Sequence, residues 1–191
     1  MKILCFGDSN TYGFDPRSYF GSRYPAQHRW VDLLAQKLGC EAVNEGENGR
    51  EIPVGDRSLR QFACVLSHQE PLDLLMIMLG SNDLLQGNEV EAIVKRMEAF
   101  VGHIALEKEK ILLICPPPMQ LGEWVSSKEQ IDASVELSKQ YQALAQRLGV
   151  GFADAGKWNI SLTYDGVHFT EEGHSAFAEG LLHHLIKSNQ I

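Results

Sequence analysis

Residues 72–79 read Leu-Asp-Leu-Leu-Met-Ile-Met-Leu, a nearly continuous apolar run that ends at Gly80. A run of this kind is typical of a β-strand that is buried on both faces, as strands of a parallel sheet are. A second apolar run, Ile111–Cys115, is followed at once by Pro116-Pro117-Pro118. Proline has no backbone N–H to donate to a neighbouring strand, so the second strand must end there. These two runs predict the centre of a parallel sheet.

Helical patterns alternate with the predicted strands. Apolar residues recur at helical spacing from Val90 to Ile104 and from Ile131 to Leu148. The remaining predicted elements are helices at Trp30–Leu38, Asp56–Leu66 and Glu171–Lys187, the last with Thr170 as its N-cap, and strands at Lys2–Phe6, Glu41–Val43 and Val150–Ala153. Five strands that alternate with helices predict an α/β fold, a three-layer α/β/α sandwich around a five-stranded parallel sheet. We predict the flavodoxin-like strand order 2-1-3-4-5.

Length and charge exclude several classes of protein. The chain of 191 residues contains no repeat or long linker, which predicts a single domain over residues 1–191. Its formal net charge of −8 gives no electrostatic support for binding nucleic acid or an anionic membrane. No apolar run approaches the roughly 18 residues of a membrane span. The N-terminal apolar run is shorter than the core of a signal peptide, so we expect a cytoplasmic protein.

The cysteines and a pair of adjacent histidines give no indication of a metal site. Cys5, Cys40, Cys64 and Cys115 lack the close spacing of zinc ligands, and we expect reduced, mostly buried thiols. The pair His183-His184 lies on a predicted helix, where neighbouring side chains point in different directions. The sequence therefore predicts no metal ion and no organic cofactor.

Polar residues follow four of the predicted strands. Ser9 follows the first strand, Asn48-Gly49 the second and Gly80-Ser81-Asn82-Asp83 the third, while Asp165 and His168 follow the fifth after a longer loop. In open parallel sheets, ligands bind beyond the carboxyl ends of the strands. We therefore expect these segments, some more than a hundred residues apart, to converge on one site.

Serine, histidine and aspartate are the parts that turn a weak hydroxyl into a nucleophile at neutral pH. Ser9 is the predicted nucleophile, His168 the general base, and Asp165 the group that holds the imidazole. Taken alone, Ser9 could instead cap a helix, and Asp165-Gly166 could be a simple turn. The occurrence of both segments in one chain favours the catalytic interpretation. The Gly-x-Ser-x-Gly elbow of α/β-hydrolases and the glycine-rich loops that bind nucleotides are absent from the sequence.

In these four segments the chain resembles the SGNH hydrolases, also called the GDSL esterase/lipase family. Gly7-Asp8-Ser9 matches the first block of that family, Gly49 the second, Gly80-Ser81-Asn82-Asp83 the third, and Asp165-Gly166-Val167-His168 the last. A closer resemblance, to the arylesterase and acyltransferase-like branch, is carried by residues 3–9, 29–30, 73–80, 116–118 and 166–170. The chain departs from many relatives at Asn10, where leucine is frequent, and at Glu51, where threonine is frequent.

The resemblance implies an oxyanion hole and a pocket. It assigns the oxyanion donors to the backbone N–H groups of Ser9 and Gly49 and to the side-chain amide of Asn82. Taken alone, Gly49 could be a loop glycine, and Asn82 could belong to a turn or a helix cap. The predicted substrate-binding residues are Asn10, Tyr12, Trp124 and Val167, with Met119 and Phe169 as further candidates, although such side chains can equally serve in packing. Asp8 is expected to brace the turn at Ser9.

The combined prediction is a serine esterase that hydrolyses carboxylic esters through an acyl-serine intermediate. Small acyl groups such as acetyl are the expected substrates, and transfer of the acyl group to an alcohol is an expected variant of the reaction. The expected partner is a small-molecule ester. The alternatives are a non-catalytic domain that binds acylated ligands, and a thioesterase or carbohydrate deacetylase of the same fold. The sequence leaves open whether the chain forms a homo-oligomer.

Overall fold

Five parallel strands form a sheet in the part of the chain that the computed structural model describes, residues 1–18 and 22–188. The strands are β1 (Lys2–Gly7), β2 (Glu41–Gly46), β3 (Leu74–Met78), β4 (Ile111–Cys115) and β5 (Gly151–Asp154). Their order is β2-β1-β3-β4-β5, which confirms the predicted topology. The β4 bounds agree with the prediction, whereas β2 is longer than predicted.

Helices connect the strands and cover both faces of the sheet. They are α1 (Ser9–Tyr12), α2 (Trp30–Leu38), α3 (Gly55–His68), α4 (Ser81–Leu85), α5 (Val90–Gly102), α6 (Lys128–Leu148) and α7 (Glu171–Lys187). Thr170 caps α7 as predicted, because its side chain accepts the N–H of Gly173 at 3.0 Å. A capping box of Ser127 and Gln130 starts α6 three residues before the predicted first residue, Ile131.

The alternation of side chains along each strand divides the core into two clusters. Leu4 and Phe6 of β1 face one cluster, which also contains side chains of α3, α5 and α6. Ile3 and Cys5 face the other cluster, which contains Trp30 of α2 and side chains of α7. Successive residues of a strand point to opposite faces of a sheet, so both faces are buried. This arrangement confirms the three-layer α/β/α architecture.

The carboxyl ends of the strands meet at one edge of the sheet. Gly7, at the end of β1, lies beside Gly46 of β2 and Met78 of β3 in the parallel register. A Cβ atom on Gly46 would lie 2.0 Å from the backbone nitrogen of Tyr12 in α1, so only glycine permits this approach. The helices that follow β1 and β3 therefore start side by side at this edge.

The cysteines are free thiols in different surroundings. Cys5 and Cys115 are buried in the sheet, and this burial raises the pKa of both thiols. Cys40 is partly buried, and Cys64 is exposed on α3, so the expectation of burial is wrong for Cys64. Its position on the solvent side of an amphipathic helix explains the difference.

Two absences can be stated for residues 1–18 and 22–188, one among their helices and one among the side chains that can ligate a metal ion. None of the helices there is both long enough and apolar enough to span a membrane. Over the same two ranges, no three His, Cys, Asp or Glu side chains come together in a group that could hold a metal ion.

Candidate active site

Ser9 lies at the first position of α1 and is separated from the end of β1 by Asp8 alone. Asp8 is the N-cap of this short helix, since its Oδ1 accepts the N–H of Asn10 at 3.0 Å. The alternative interpretation of Ser9 as a helix cap is therefore wrong, and the expected bracing role of Asp8 is realised as a cap. The helix ends after one turn at Gly13, whose φ of 88° is in the left-handed region.

The side chains of Ser9, His168 and Asp165 form a continuous hydrogen-bonded chain. Ser9 Oγ lies 2.9 Å from His168 Nε2, and His168 Nδ1 lies 2.7 Å from Asp165 Oδ2. Ser9 is 6% exposed, and His168 and Asp165 are each 1% exposed. The structure thus brings together, in contact, two side chains that are 159 residues apart in the sequence.

A tight turn fixes the orientation of Asp165. Its Oδ1 accepts the backbone N–H groups of Val167 and His168, both at 2.9 Å. The intervening Gly166 has a φ of 82°, and a Cβ atom there would lie 2.1 Å from the carbonyl oxygen of Gln120. Burial alone would raise the pKa of Asp165, but its hydrogen bonds with His168 and Val167 outweigh burial and lower the pKa to about 2. Asp165 is therefore a carboxylate at neutral pH.

The loop after β4 is attached to this turn by backbone hydrogen bonds. The N–H of Gln120 donates to the carbonyl of Gly166 at 3.0 Å, and the N–H of Trp124 donates to the carbonyl of Asp165 at 3.1 Å. These bonds place the Trp124 indole 4.8 Å from the His168 ring, at an interplanar angle of 80°. Phe14 also contacts the imidazole, with a centroid distance of 4.9 Å. Aromatic rings therefore shield His168 from bulk water.

Helix α4 holds the loop that follows β2. Asn82 Nδ2 donates to the carbonyl of Arg50 at 3.0 Å, and Asp83 Oδ2 accepts the N–H of Ile52 at 3.1 Å. Arg96 of α5 in turn donates to Asp83 Oδ1 at 3.1 Å. Burial raises the pKa of Asp83, although its bonds with Ile52 and Arg96 oppose the shift. Asn82 is thereby fixed beside the loop that carries Gly49.

A cavity of about 110 Å³ lies where these segments meet. Its lining consists of Ser9, Phe14, Asn48, Gly49, Asn82, Trp124 and His168. A larger cavity of about 570 Å³ lies between β2 and α3, lined by Arg50, Glu51 and their neighbours, and contains neither Ser9 nor His168. We place the active site at the smaller cavity, because the reactive side chains face it.

One residue of the lining, Phe14, was not predicted from the sequence. Asn48 belongs to the Asn48-Gly49 segment that was expected at the site, although it was given no role there. Phe14 follows the one-turn helix α1, and no motif or periodicity marks it. Nothing in the local sequence indicates that this ring contacts His168.

Of the four predicted substrate-binding residues, only Trp124 lines this cavity. The Tyr12 ring lies elsewhere, with the Arg23 guanidinium 4.5 Å from its centroid. Asn10 and Val167 do not belong to the lining: the Asn10 amide bonds the backbone of Val167 and Phe169, and the Val167 side chain packs in the core. The further candidates Met119 and Phe169 also belong to the core. Spacing along the chain could place these residues near the site, but not fix where their side chains point.

Asp8 is a second buried carboxyl group next to Ser9. Burial raises its pKa to about 6, and the N–H of Asn10 and the nearby His168 and Arg50 oppose the shift only in part. Asp8 and Asp165 therefore have pKa values displaced in opposite directions. Burial prevails at Asp8, whereas at Asp165 it is outweighed by a hydrogen bond from the imidazole in addition to those from two backbone N–H groups.

A parallel sheet with a hydroxyl, an imidazole and a carboxylate in contact at its carboxyl edge is the arrangement of a hydrolase that acts on acyl groups. The model of the GDSL-like lipase/acylhydrolase family matches residues 5–176, and the chain belongs to this family. The resemblance noted in the sequence is thereby confirmed, and membership supports the hydrolysis of esters.

Solved structures of similar proteins cover nearly the whole chain. A proposed arylesterase from Agrobacterium tumefaciens str. C58 is 32% identical, with a TM-score of 0.85 over 97% of this chain and 98% of that protein. A carbohydrate acetylesterase from Sinorhizobium meliloti is 26% identical, with a TM-score of 0.83 over 97% and 98%. The aryl esterase of M. smegmatis is 28% identical, with a TM-score of 0.82 over 97% and 98%. Comparison with curated proteins found no match.

Proposed function

We propose that this protein is a serine esterase that hydrolyses carboxylic esters of small acyl groups, such as acetyl, through an acyl-serine intermediate at Ser9. The observation that carries the proposal is the 2.9 Å contact between Ser9 Oγ and His168 Nε2 beside a small cavity. Family membership supports ester hydrolysis, and the contact supplies the nucleophile and base for it.

In the first step Ser9 Oγ attacks the carbonyl carbon of the ester while His168 Nε2 takes the hydroxyl proton. The Asp165 carboxylate stabilises the imidazolium that forms and keeps the other proton of the ring on Nδ1. A positioned general base of this kind contributes about 10²- to 10⁴-fold to the rate.

The negative charge that develops on the carbonyl oxygen requires hydrogen-bond donors. We assign this role to the backbone N–H groups of Ser9 and Gly49 and to the side-chain amide of Asn82, three residues that line the cavity. One amide proton of Asn82 is donated to the Arg50 carbonyl, so the second remains for the substrate. Each such donor is worth about 3 to 4 kcal/mol of transition-state stabilisation.

The tetrahedral intermediate then collapses: the bond between the carbonyl carbon and the alcohol oxygen breaks, His168 gives its proton to that oxygen, and the acyl group stays on Ser9 Oγ. The alcohol therefore leaves on the side of the cavity where His168, Phe14 and Trp124 lie. A water molecule then attacks the acyl-serine carbonyl, and His168 takes its proton and returns it to Ser9 Oγ as the carboxylic acid is released. The reaction is balanced with water as the second substrate.

The proposal of a short acyl group is supported by the small volume of the cavity, about 110 Å³. We expect p-nitrophenyl acetate to be hydrolysed with a kcat/KM at least about tenfold above that of p-nitrophenyl decanoate, since each methylene without room weakens transition-state binding. The leaving group is the same in both esters, so the ratio reports the acyl site alone. A preference for the decanoate would contradict the proposed substrate class.

Acyl transfer to an alcohol is a second candidate activity, favoured by the aromatic rings beside the base. An alcohol that enters where the first alcohol left can replace water, and Phe14 and Trp124 offer it an apolar surface. We expect benzyl alcohol, added to the acetyl-ester assay, to yield benzyl acetate, and chromatography of the products measures its fraction. Failure to form any benzyl acetate would restrict the activity to hydrolysis.

A further inference from the structure

The side chain of Asn10, the residue after Ser9, binds the chain on both sides of His168. Its Nδ2 donates to the carbonyl oxygen of Val167 at 3.1 Å, and its Oδ1 accepts the N–H of Phe169 at 2.9 Å. Asn10 is 3% exposed, so both bonds are shielded from water. Loss of the amide would leave a buried carbonyl and a buried N–H without a partner.

The short segment that carries His168 is thus held along both of its edges. On one edge the N–H of Thr163 donates to the carbonyl of His168 at 2.7 Å, as part of a small antiparallel bridge. The carbonyl of Val167 and the N–H of Phe169 point to the other edge, as backbone groups alternate in an extended chain. There the Asn10 amide offers one donor and one acceptor, as a neighbouring strand would.

Asn10 is itself fixed from the side of the core. The backbone carbonyl oxygen of Asn10 accepts Nε1–H of Trp30 at 3.0 Å. Trp30 is buried against Phe177, with a distance of 4.6 Å between the ring centroids. Ser9 and Asn10 are consecutive residues of α1. The same turn of chain that carries the nucleophile therefore also holds the backbone that carries the base.

We propose that Asn10 is a positioning residue, whose amide sets the distance between α1 and the His168 backbone so that Nε2 can take the proton of Ser9. This inference rests on the proposed function, because it concerns proton transfer during ester hydrolysis. Asp165 orients the imidazole ring, whereas Asn10 locates the backbone from which the ring extends. A displacement of about 1 Å between reacting groups can cost about 10²-fold in rate.

The first test is Asn10→Leu, a side chain of similar size that has neither donor nor acceptor. We expect kcat for p-nitrophenyl acetate to fall by about tenfold or more, with little change in KM. The turnover is expressed per site that a fluorophosphonate probe labels at completion, so unfolded protein does not contribute. A purely structural role would lower the melting temperature and leave this kcat unchanged.

Thr170→Ala is the matched control. Thr170 lies two residues beyond His168, and its substitution removes the N-cap bond to Gly173 and the bond between the Thr170 and Ser161 hydroxyl groups, but neither bond of Asn10. We expect Thr170→Ala to lower the melting temperature and to keep the kcat of the wild type per labelled site. An equal fall of kcat in this variant would overturn the inference, because general loosening of the segment would then explain both results.

Asn10→Asp keeps the shape of the side chain and serves if Asn10→Leu does not fold. Its carboxylate still accepts the N–H of Phe169 but faces the carbonyl of Val167 without a donor. We expect a similar fall of kcat at pH values where the new side chain is ionised, because a carboxylate cannot donate to the carbonyl of Val167. Wild-type kcat in the folded variant would overturn the inference. Wild-type protein without turnover and without labelling would instead refute the proposed function.

Discussion

Removal of the Ser9 hydroxyl or of the His168 imidazole is expected to lower kcat for an acetyl ester by about 10⁴-fold or more. Ser9→Ala removes the atom that forms the acyl intermediate. His168→Ala removes the base whose Nε2 lies 2.9 Å from the hydroxyl oxygen. The two side chains act as one unit, so the double variant is expected to be no slower than either single variant.

Steady-state kinetics and labelling with a fluorophosphonate probe measure this effect. The probe is expected to form an adduct on Ser9 of the wild type and none on Ser9→Ala. Ser81→Ala is a matched control, since Ser81 is also a buried serine at the first position of a short helix that follows a strand. This variant should retain labelling and turnover.

The rival hypothesis of a non-catalytic binding domain predicts a different outcome. A folded wild-type protein that stays unlabelled, yet binds an acylated ligand, would support that hypothesis against the esterase. A Ser9→Ala variant with nearly the turnover of the wild type would show that another residue is the nucleophile. Thioesters and acetylated sugars, tested in the same assay, separate the remaining alternatives of the same chemistry.

The sequence predicted the sheet well because its strands are strongly apolar. Ile111–Cys115 is buried throughout, and so no polar residue obscured its bounds. The short helices Ser9–Tyr12 and Ser81–Leu85 were not predicted, since four or five residues do not complete a helical repeat. β2 is only partly buried at the edge of the sheet, and its weaker apolar pattern explains why its length was underestimated.

The sequence predicted the site residues whose chemistry requires a particular residue type. It missed a residue that only contributes apolar surface to the cavity. Ser9, His168 and Asp165 stood out because few other side chains can activate a hydroxyl. Phe14 lines the cavity because α1 ends after one turn, and no local sequence pattern predicted that the helix would be so short. Asn10 was placed in the pocket by its neighbour Ser9, but consecutive helix residues point in different directions.

Asp165→Asn is expected to lower kcat by about 10³- to 10⁴-fold while the variant stays folded. The amide oxygen of the substituted side chain can still accept the N–H groups of Val167 and His168, which Asp165 Oδ1 accepts at 2.9 Å. An NH₂ group then replaces Oδ2 opposite His168 Nδ1. Because NH₂ donates, it favours the tautomer with its proton on Nε2, and such a nitrogen cannot take the proton of Ser9.

Glu123→Gln is the control for loss of charge, since Glu123 is exposed on the loop that binds the Asp165 turn. It removes a nearby negative charge without changing any partner of His168, and its kcat is expected to equal that of the wild type. A similar fall of kcat in both variants would mean that the loss of a negative charge near His168, and not a change of its tautomer, lowers the rate. Wild-type kcat in Asp165→Asn would show that the backbone alone orients the imidazole.

Asp165→Asn is also expected to change how the stability of the protein depends on pH in acid. The pKa of Asp165 is lowered to about 2 in the folded protein, below the value of about 3.9 for an unfolded chain. A lowered carboxyl pKa contributes stability above the unfolded value, and this contribution is lost as the pH falls through the folded value. Between about pH 4 and pH 2 the melting temperature of Asp165→Asn is therefore expected to fall less steeply than that of the wild type. Equal slopes would mean that Asp165 has no depressed pKa, and the hydrogen bonds that fix the carboxylate would then contribute little to holding His168 against Ser9.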